Sequence, residues 1–161
     1  EENACLPSAE SQEIQALNLA MSTIEKLSGN IQSRVGRKLR DRTSQILSEI
    51  TCGKYEEVII DSQFHMAVNT QGRIVALERL SRGTMEQIYF ALRMAAGEIL
   101  CQDEKFPVIL DDVFGMYDEE RLLAVLQWMY KEKRQIIIST CNKREMEILD
   151  REQIPYQKIV L

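Results

Sequence analysis

The sequence lacks the features that mark membrane, secreted and disulfide-bonded proteins. No apolar run approaches the ~20 residues that a membrane-spanning helix needs, and the acidic start Glu1-Glu2-Asn3 does not resemble a basic signal peptide. The four cysteines are scattered and form no C-x-x-C pair, which favours reduced thiols in a cytosol over a disulfide framework or a zinc site. We therefore expect a cytoplasmic protein without a membrane segment.

The sequence also lacks an excess of positive charge and contains little histidine. The 161 residues carry a net charge of -5, so the domain as a whole is not a basic nucleic-acid clamp, and any contact with DNA would have to be local. His65 is the single histidine, so the sequence offers no histidine pair for a metal. The length suits one domain, which can bury roughly 70% of its unfolded surface.

Proline is absent from Ser8 to Cys52, and this stretch predicts one long helix, weakened by glycines that each cost about 1 kcal/mol relative to Ala. Its apolar residues alternate between spacings of three and four, as in a coiled-coil seam. They are Ile14, Leu17, Met21, Ile24, Ile31 and Val35. A seam of about three heptads fits either an amphipathic helix lying on a domain or the end of a longer coiled coil. We assign residues 1–52 to the end of a coiled coil.

A basic run lies on the same predicted helix. It consists of Arg34, Arg37, Lys38, Arg40 and Arg42. Such a run is usually a solvated helix face, and a phosphate-contacting patch is the less favoured interpretation.

Short segments rich in β-forming residues follow Gly53, which fits a helix C-cap. Residues 53–78 predict an antiparallel meander. Its strands are Tyr55–Ile60, Phe64–Asn69 and Arg73–Leu77. We interpret His65, which lies in the second of them, as a structural or surface residue.

Helical and extended patterns alternate in the rest of the chain, which predicts an α/β sheet with right-handed crossovers. Asp118 is expected to cap one of the helices, and the central apolar strands are expected to be buried. The predicted helices are Thr84–Cys101, Glu119–Glu132 and Lys143–Leu149, and the predicted strands are Phe106–Leu110, Gln135–Ser139 and Tyr156–Leu161.

Two acidic residues, Asp111 and Asp112, follow the predicted strand that ends at Leu110. The carboxyl ends of strands form the ligand-binding edge of open α/β sheets. Adjacent carboxylates repel each other unless a cation or a proton mediates. A Mg²⁺ ion on one carboxylate, with the other directed at a water molecule, would make a hydrolytic site. On this motif alone an acidic turn is the favoured interpretation.

The segment Leu80-Ser81-Arg82-Gly83 precedes a predicted helix. Gly83 lets the backbone approach a ligand closely, the helix N-terminus offers unpaired N–H groups to an anion, and Ser81 adds a hydroxyl. On this motif alone an ordinary capped helix is favoured.

Taken together at this spacing, the two motifs resemble a known family. The matching segments are Leu80–Gly83 with Gln87 for the ABC-type signature motif, Val108–Asp112 for the Walker B strand, Gly115–Asp118 for the D-loop, and Ile136–Asn142 for the switch strand and its loop. From about Ser44 to Leu161 the chain resembles the C-terminal lobe of SMC-like ATPase heads, the class of RecF, RecN and SbcC, and within it the YhaN-like group.

The resemblance implies an α/β fold, the C-terminal half of a P-loop ABC-type ATPase head. Its sheet would be mostly parallel with flanking helices, preceded by a coiled-coil-like helix and the small meander. Residues 53–161 would form the C-terminal lobe, with the meander at 53–78, the signature helix, the Walker B strand and the switch strand.

The resemblance also implies roles in an ATP site that uses Mg²⁺. Asp111 would ligate Mg²⁺, directly or through water, and Asp112 would polarise the attacking water. Most ABC-type ATPases have Glu at this position, and Asp resembles the RecF type, with a side chain about 1.5 Å shorter. Asn142 stands where the family has a switch His. It can donate a hydrogen bond to a γ-phosphate but carries no proton near neutral pH, which puts turnover in doubt.

Further residues would serve nucleotide bound to an opposing head. Ser81 and Gly83, with the intervening Arg82, would contact its γ-phosphate. Gln87 would support the signature helix and contact the opposing nucleotide. Asp118 would lie at the dimer interface as the D-loop acid.

The sequence contains no P-loop of the form G-x-x-x-x-G-K-[ST]. Its single Gly-Lys pair, Gly53-Lys54, is followed by Tyr55, so the backbone N–H groups and the lysine that hold the β- and γ-phosphates are lacking. In SMC-like proteins this element lies in an N-terminal lobe beyond a long coiled coil. With the first residue not Met, we interpret the chain as a fragment that is inactive alone, leaving an exposed sheet edge.

Three functions are open. The leading hypothesis is half of an ATPase head in DNA repair or chromosome maintenance, partnered by the N-terminal lobe of the same protein, a second head, DNA and a metallophosphoesterase nuclease. The second is a degenerate head that dimerises or scaffolds without turnover, for which Asn142 is the best argument. The third, the ATPase subunit of a membrane transporter, is disfavoured by the coiled-coil entry.

Overall fold

A computed structural model of the chain describes residues 9–61, 65–101, 104 and 107–160, without the side chains of residues 9–12 and 30–32. The chain divides into two compact units, Glu1–Arg37 and Lys38–Leu161.

The described part of the first unit belongs to a long helix, α1 (Ala9–Ile50), which continues through Gly29 and Gly36. The predicted long helix is therefore found at nearly its predicted bounds. The seam residues whose side chains are described are exposed, namely Ile14, Leu17, Met21, Ile24 and Val35. An exposed apolar row at this spacing is typical of a helix that has a helical partner, and the assignment to a coiled coil stays a prediction.

The last turns of α1 belong to the second unit. Ile46, Leu47 and Ile50 are fully or almost fully buried in its core. The predicted division lay between residues 52 and 53, whereas the compact unit begins at Lys38, because the end of the helix supplies core side chains.

The meander has three antiparallel strands in the order of the chain. They are β1 (Glu57–Ile60), β2 (Met66–Thr70) and β3 (Arg73–Ala76). Val58 lies opposite Val68, and both are buried. The predicted antiparallel meander is confirmed, although Phe64, the predicted start of its second strand, lies outside the described residues.

The rest of the second unit alternates helices and strands. After a short 3₁₀ turn at Leu77–Arg79 come α2 (Arg82–Cys101), β4 (Val108–Asp111), α3 (Glu119–Lys131), β5 (Ile136–Ser139) and α4 (Arg144–Arg151). Strands β4 and β5 pair in parallel, with Asp111 opposite Ser139. The predicted α/β class is confirmed in this arrangement.

The parallel strands are buried on one face, and the prediction of fully buried strands is wrong in this respect. Leu110 is 6% exposed, whereas the neighbouring Ile109 is 71% exposed and Ile137 of β5 is 48% exposed. Successive side chains of a strand point to opposite faces, and the core covers the face that carries Leu110. The other face of this two-stranded sheet is open within the described part of the chain.

The last predicted strand, Tyr156–Leu161, is also a wrong prediction. Residues 154–160 have no regular secondary structure, and Leu161 lies outside the described residues. Ile159 and Val160 are 77% and 80% exposed. A strand requires a hydrogen-bonded neighbour, and this segment pairs with neither β4 nor β5. The apolar pattern of this segment favours a strand, but the described part of the chain provides no hydrogen-bonded neighbour for it.

One core joins all helices of the second unit to both sheets. Its members include Ile46, Leu47, Val58, Val68, Ile88, Phe90, Leu110, Phe114, Leu122, Val125, Trp128 and Ile148. Trp128 donates its indole N–H to Glu49 at 2.7 Å, which ties α3 to α1. None of the described helices is both long and apolar enough to cross a membrane.

An ion pair also links α1 to α2. Arg42 donates to both carboxylate oxygens of Glu98, at 2.6 and 3.1 Å, and lies 3.7 Å from Glu132. The bond to Glu98 raises the pKa of the Arg42 guanidinium above its ordinary value. Within the basic run, Arg42 is therefore neither a solvated residue nor a free phosphate ligand.

We expect Arg42→Met to lower the free energy of unfolding by about 1–3 kcal/mol, because it leaves Glu98 partly buried without its main partner. Urea denaturation with an unchanged m-value would measure this loss. Arg40→Met is the matched control, since the partner of Arg40 among the described side chains is the adjacent exposed Asp41, at 3.4 Å. Its effect should stay within about 0.5 kcal/mol, and equal losses in the two variants would contradict the assignment.

Candidate functional site

Ser81 caps the N-terminus of α2. Its hydroxyl oxygen accepts from the backbone N–H of Thr84 at 3.3 Å and forms a second hydrogen bond with the Thr84 hydroxyl at 2.9 Å. A serine at this position satisfies a donor that the first helical turn leaves unpaired. The neighbouring Arg82 is exposed. The predicted signature segment is therefore a capped helix start with an exposed serine and arginine.

Gly83 lies where another element comes too close for a side chain. A Cβ placed on it would be 2.7 Å from the carbonyl oxygen of Met116 and in direct collision with the Arg121 guanidinium. The Met116 carbonyl could move away only if the backbone of its loop moved with it, so this position requires glycine. The start of α2 thus packs directly on the loop that follows β4.

The two predicted acidic residues lie at the carboxyl end of β4. The Asp112 backbone N–H donates to the Ser139 carbonyl at 2.8 Å, which extends the pairing with β5 by one residue. Asp112 has a φ of 46°, an uncommon conformation for a residue with a side chain. Both side chains are exposed. Neither carboxylate has a hydrogen-bond or ion-pair partner within the described part of the chain.

Free carboxylates at a strand end suit Mg²⁺, which takes one or two protein carboxylates and keeps several waters. Among the described residues no group of three or more His, Cys, Asp or Glu side chains could hold a metal ion. The donor set therefore fits Mg²⁺ shared with water and phosphate oxygens better than a metal enclosed by protein ligands.

The loop after Asp112 is anchored by two aromatic residues. Phe114 and Tyr117 are 2% and 3% exposed and meet edge to face, with ring centroids 5.5 Å apart. Burial, followed by the Glu86 carboxylate, raises the pKa of the Tyr117 phenol well above its usual range. The phenol is therefore protonated at neutral pH and serves as packing rather than as a base.

Asp118 ends this loop and caps α3. Its carboxylate accepts from the Arg121 backbone N–H at 2.9 Å, and the Arg121 side chain lies 3.2 Å from its second oxygen. The same guanidinium donates to the Ser81 hydroxyl at 3.4 Å. The predicted capping role of Asp118 is found, and Arg121 brings it together with Ser81 and Gly83.

The predicted switch residue Asn142 is exposed between β5 and α4. Its backbone N–H donates to the Thr140 hydroxyl at 3.0 Å. Since β4 and β5 are parallel neighbours, the loop of Asn142 leaves the same sheet edge as Asp111 and Asp112. The structure therefore places these three residues on one edge.

Gln87 points into the molecule. It is 2% exposed, and its side-chain amide donates to the Ile50 carbonyl at 3.2 Å. This bond supports α2 against the end of α1. A contact with an opposing nucleotide would require Gln87 to leave that position.

Sequence reasoning did not single out Arg121 or Arg144. Arg144 donates to the carbonyls of Tyr117 and Phe114, at 2.7 and 2.8 Å. Charged residues in the first turn of a helix are ordinary surface residues by pattern. The available signal was that they lie close in sequence to the segments predicted as the D-loop and the switch loop.

Comparisons with known proteins agree with this architecture. No family model matches the chain. The uncharacterized protein YhaN of Bacillus subtilis strain 168 is 30% identical over 122 residues, which are 73% of this chain and 13% of that protein. This chain therefore spans a small part of the relative's length.

Two solved structures share the fold. An SMC ATPase from structural work on ATP-driven dimerization and DNA-stimulated activation is 16% identical, with a TM-score of 0.63 over 75% of this chain and 78% of that chain. The Smc head domain of Pyrococcus furiosus, with an extended coiled coil and bound to the C-terminal domain of ScpA, is 14% identical, with a TM-score of 0.65 over 83% of this chain and 35% of that chain. The chain has the fold of an SMC-type head, and the predicted resemblance is confirmed.

We expect Gly83→Ala to lower the free energy of unfolding by about 1–3 kcal/mol, because its methyl group forces the Met116 carbonyl and Arg121 away. Gly97→Ala is the matched control in the same helix, since nothing lies within 4 Å of a Cβ there. It should stabilise by up to about 1 kcal/mol through helix propensity. Thermal and urea unfolding would measure both, and a neutral Gly83→Ala would contradict the close packing.

Proposed function

We propose that this chain is the C-terminal half of an SMC-like ATPase head, which binds and hydrolyses ATP held between two heads and acts in DNA repair or chromosome maintenance in the cytoplasm. The observation that carries the proposal is the packing of Gly83 on the Met116 carbonyl. It joins the capped start of α2 to the loop that follows two carboxylates without a partner among the described residues. We interpret the start of α2 as the signature motif and β4 as the Walker B strand, because the two motifs together account for this packing and neither does so alone.

The carboxylates at the end of β4 supply the proposed chemistry. Asp111 would hold Mg²⁺, whose charge neutralises phosphate oxygens, and Asp112 would orient and polarise a water molecule. Both side chains are exposed and free of internal partners among the described residues, so they are available to a ligand. Asn142, on the same sheet edge, would donate a hydrogen bond to the γ-phosphate.

The start of α2 would serve the nucleotide of a second head. Ser81 and Arg82 are exposed and lie at a helix N-terminus that favours anions. Gly83 allows the approach, and Asp118 would lie at the interface between heads. The P-loop that holds each nucleotide is absent from this sequence.

The open face of the β4–β5 sheet supports an N-terminal lobe of the same protein as a partner. Ile109 and Ile137 are exposed there, and parallel sheets occur almost solely with both faces covered. Two strands are also fewer than a stable sheet normally has. Strands and helices from a preceding lobe, which would carry the P-loop, would complete this sheet.

DNA, a metallophosphoesterase nuclease and a second copy of the head complete the proposed partners. One structural neighbour comes from work on the ATP-driven dimerization and DNA-stimulated activation of SMC ATPases, which supports DNA and a second head as partners. A second candidate is a degenerate head that dimerises or scaffolds without hydrolysis. Asn142 favours it, because loss of a general acid–base group typically costs ~10²–10⁴ in rate.

The chain as printed should bind ATP–Mg²⁺ with a Kd above about 1 mM, because it lacks the N–H groups and the lysine that hold the β- and γ-phosphates. Isothermal titration calorimetry of this chain measures the affinity, with the complete protein as the positive control. Micromolar binding by this chain alone would overturn the division of the ATP site between two lobes.

In the complete protein, Asp112→Asn should slow ATP hydrolysis by about 10²–10⁴-fold, because the amide cannot take up a proton from water. ATP-dependent association of heads, followed by analytical ultracentrifugation, should be retained. Glu120→Gln is the matched control, since Glu120 is an exposed carboxylate in the first turn of α3, and its rate should match the wild type. Unchanged turnover in Asp112→Asn would rule out its proposed role, and a wild-type protein that associates without turnover would favour the degenerate head.

A further inference from the structure

Arg144 binds the loop that connects the proposed Walker B carboxylates to Asp118. The two terminal nitrogens of Arg144 donate to the carbonyls of Phe114 and Tyr117, at 2.8 and 2.7 Å. The Tyr117 N–H donates to the Phe114 carbonyl at 3.0 Å, so the guanidinium braces a turn at both ends. Charged donors to carbonyls are roughly twice as strong as neutral ones, so these two bonds restrain the loop strongly.

While Arg144 makes these two bonds, its third guanidinium nitrogen is left without a hydrogen bond among the described residues. Its Nε is buried and has no hydrogen-bond partner among the described residues. An unpaired buried donor lowers the stability of the folded state. The two loop carbonyls therefore determine the orientation of the guanidinium, because no hydrogen bond at Nε contributes to it among the described residues.

The other side of Arg144 leads to the switch loop. Glu145, 2% exposed, accepts from the Thr140 hydroxyl at 3.3 Å and lies 3.9 Å from the Arg144 guanidinium. Thr140 in turn accepts from the backbone N–H of Asn142. Hydrogen bonds and one longer ion pair, between Glu145 and Arg144, thus connect Asn142 to Tyr117, the residue before Asp118.

We propose that Arg144 is a positioning residue that fixes the switch loop, which carries Asn142, to the loop that joins Asp112 to Asp118. This inference rests on the proposed ATPase function and adds a residue that contacts neither nucleotide nor water in the reaction. A contiguous network of this kind makes the two loops one body. If the γ-phosphate displaced Asn142, Asp118 would therefore move as well. In the proposed function Asp118 lies on the side that faces a second head.

Two variants of the complete protein test this, with a control on the same helix. Arg144→Ala removes both carbonyl bonds, and Arg144→Lys keeps the charge but reaches one carbonyl at most. Arg151→Ala is the control, because Arg151 is an exposed arginine of α4 that pairs with Glu119 and Glu152. Hydrogen exchange should rise about tenfold at the amides of residues 113–118 and 140–143 in Arg144→Ala, and should be unchanged there in Arg151→Ala. Wild-type protection of both segments in Arg144→Ala would overturn the proposal.

ATP turnover provides a second measurement that separates positioning from general stability. In Arg144→Ala, kcat should fall about 10–100-fold with less than about a threefold change in KM, as expected for misplaced reacting groups. Millimolar guanidinium chloride should restore part of kcat, whereas sodium chloride at the same concentration should not, and Arg144→Lys should be intermediate. An equal loss in Arg151→Ala, or no loss in Arg144→Ala, would overturn the role. Absence of turnover in the wild type would overturn the proposed hydrolysis alone, and the hydrogen-exchange measurement would still decide on Arg144.

Discussion

The contact between Gly83 and the Met116 carbonyl is the constraint on which the arrangement of the second unit depends. A Cβ on Gly83 would lie 2.7 Å from the Met116 carbonyl oxygen, so the start of α2 and the loop after β4 are too close to admit a side chain. The separation of Ser81 from the end of β4 is therefore set by backbone atoms and not by flexible side chains. Groups that must meet a ligand at fixed positions are best carried by rigid elements in this way.

The loop after β4 is held against the start of α2 more by the burial of its aromatic side chains than by hydrogen bonds. Phe114 and Tyr117 are almost fully buried, and each such side chain contributes roughly 1.5–3 kcal/mol through removal from water. The bond from Arg121 to Ser81, at 3.4 Å, is too long to contribute much. The aromatic pair therefore fixes where the loop lies, and the arginines determine how its carbonyls and Asp118 are oriented.

The parts of the fold that were predictable from sequence are those whose signal is local. The proline-free stretch of α1, the turn residues between the strands of the meander and the Asp118 cap depend on neighbours in the chain. The failures depend on distant residues. Tyr156–Leu161 has a β-forming pattern, but a strand needs a partner that the pattern does not reveal. The exposure of Ile109 likewise follows from what covers the sheet, and an apolar run cannot show that one face is open.

The site shows the same division between local and distant information. Ser81, Gly83 and Asp111-Asp112 were recognisable because their types and spacing follow a motif. Arg144 was not, because a positively charged residue at the start of a helix has no periodic or motif signal. Its importance arises from two carbonyls almost thirty residues earlier in the chain.

Helix α2 is also attached to the end of α1. The Ile50 carbonyl lies in the last turn of α1, where carbonyls lack intrahelical partners, and it accepts from the buried Gln87. Thr84, 1% exposed, shares its hydroxyl between Ser81 at 2.9 Å and Tyr55 at 3.4 Å. Separating the two helices would leave buried polar groups unpaired at about 1–3 kcal/mol each, in addition to the lost apolar packing. The end of α1 and the serine that caps α2 therefore move together, because partial separation is more costly than movement of the whole unit.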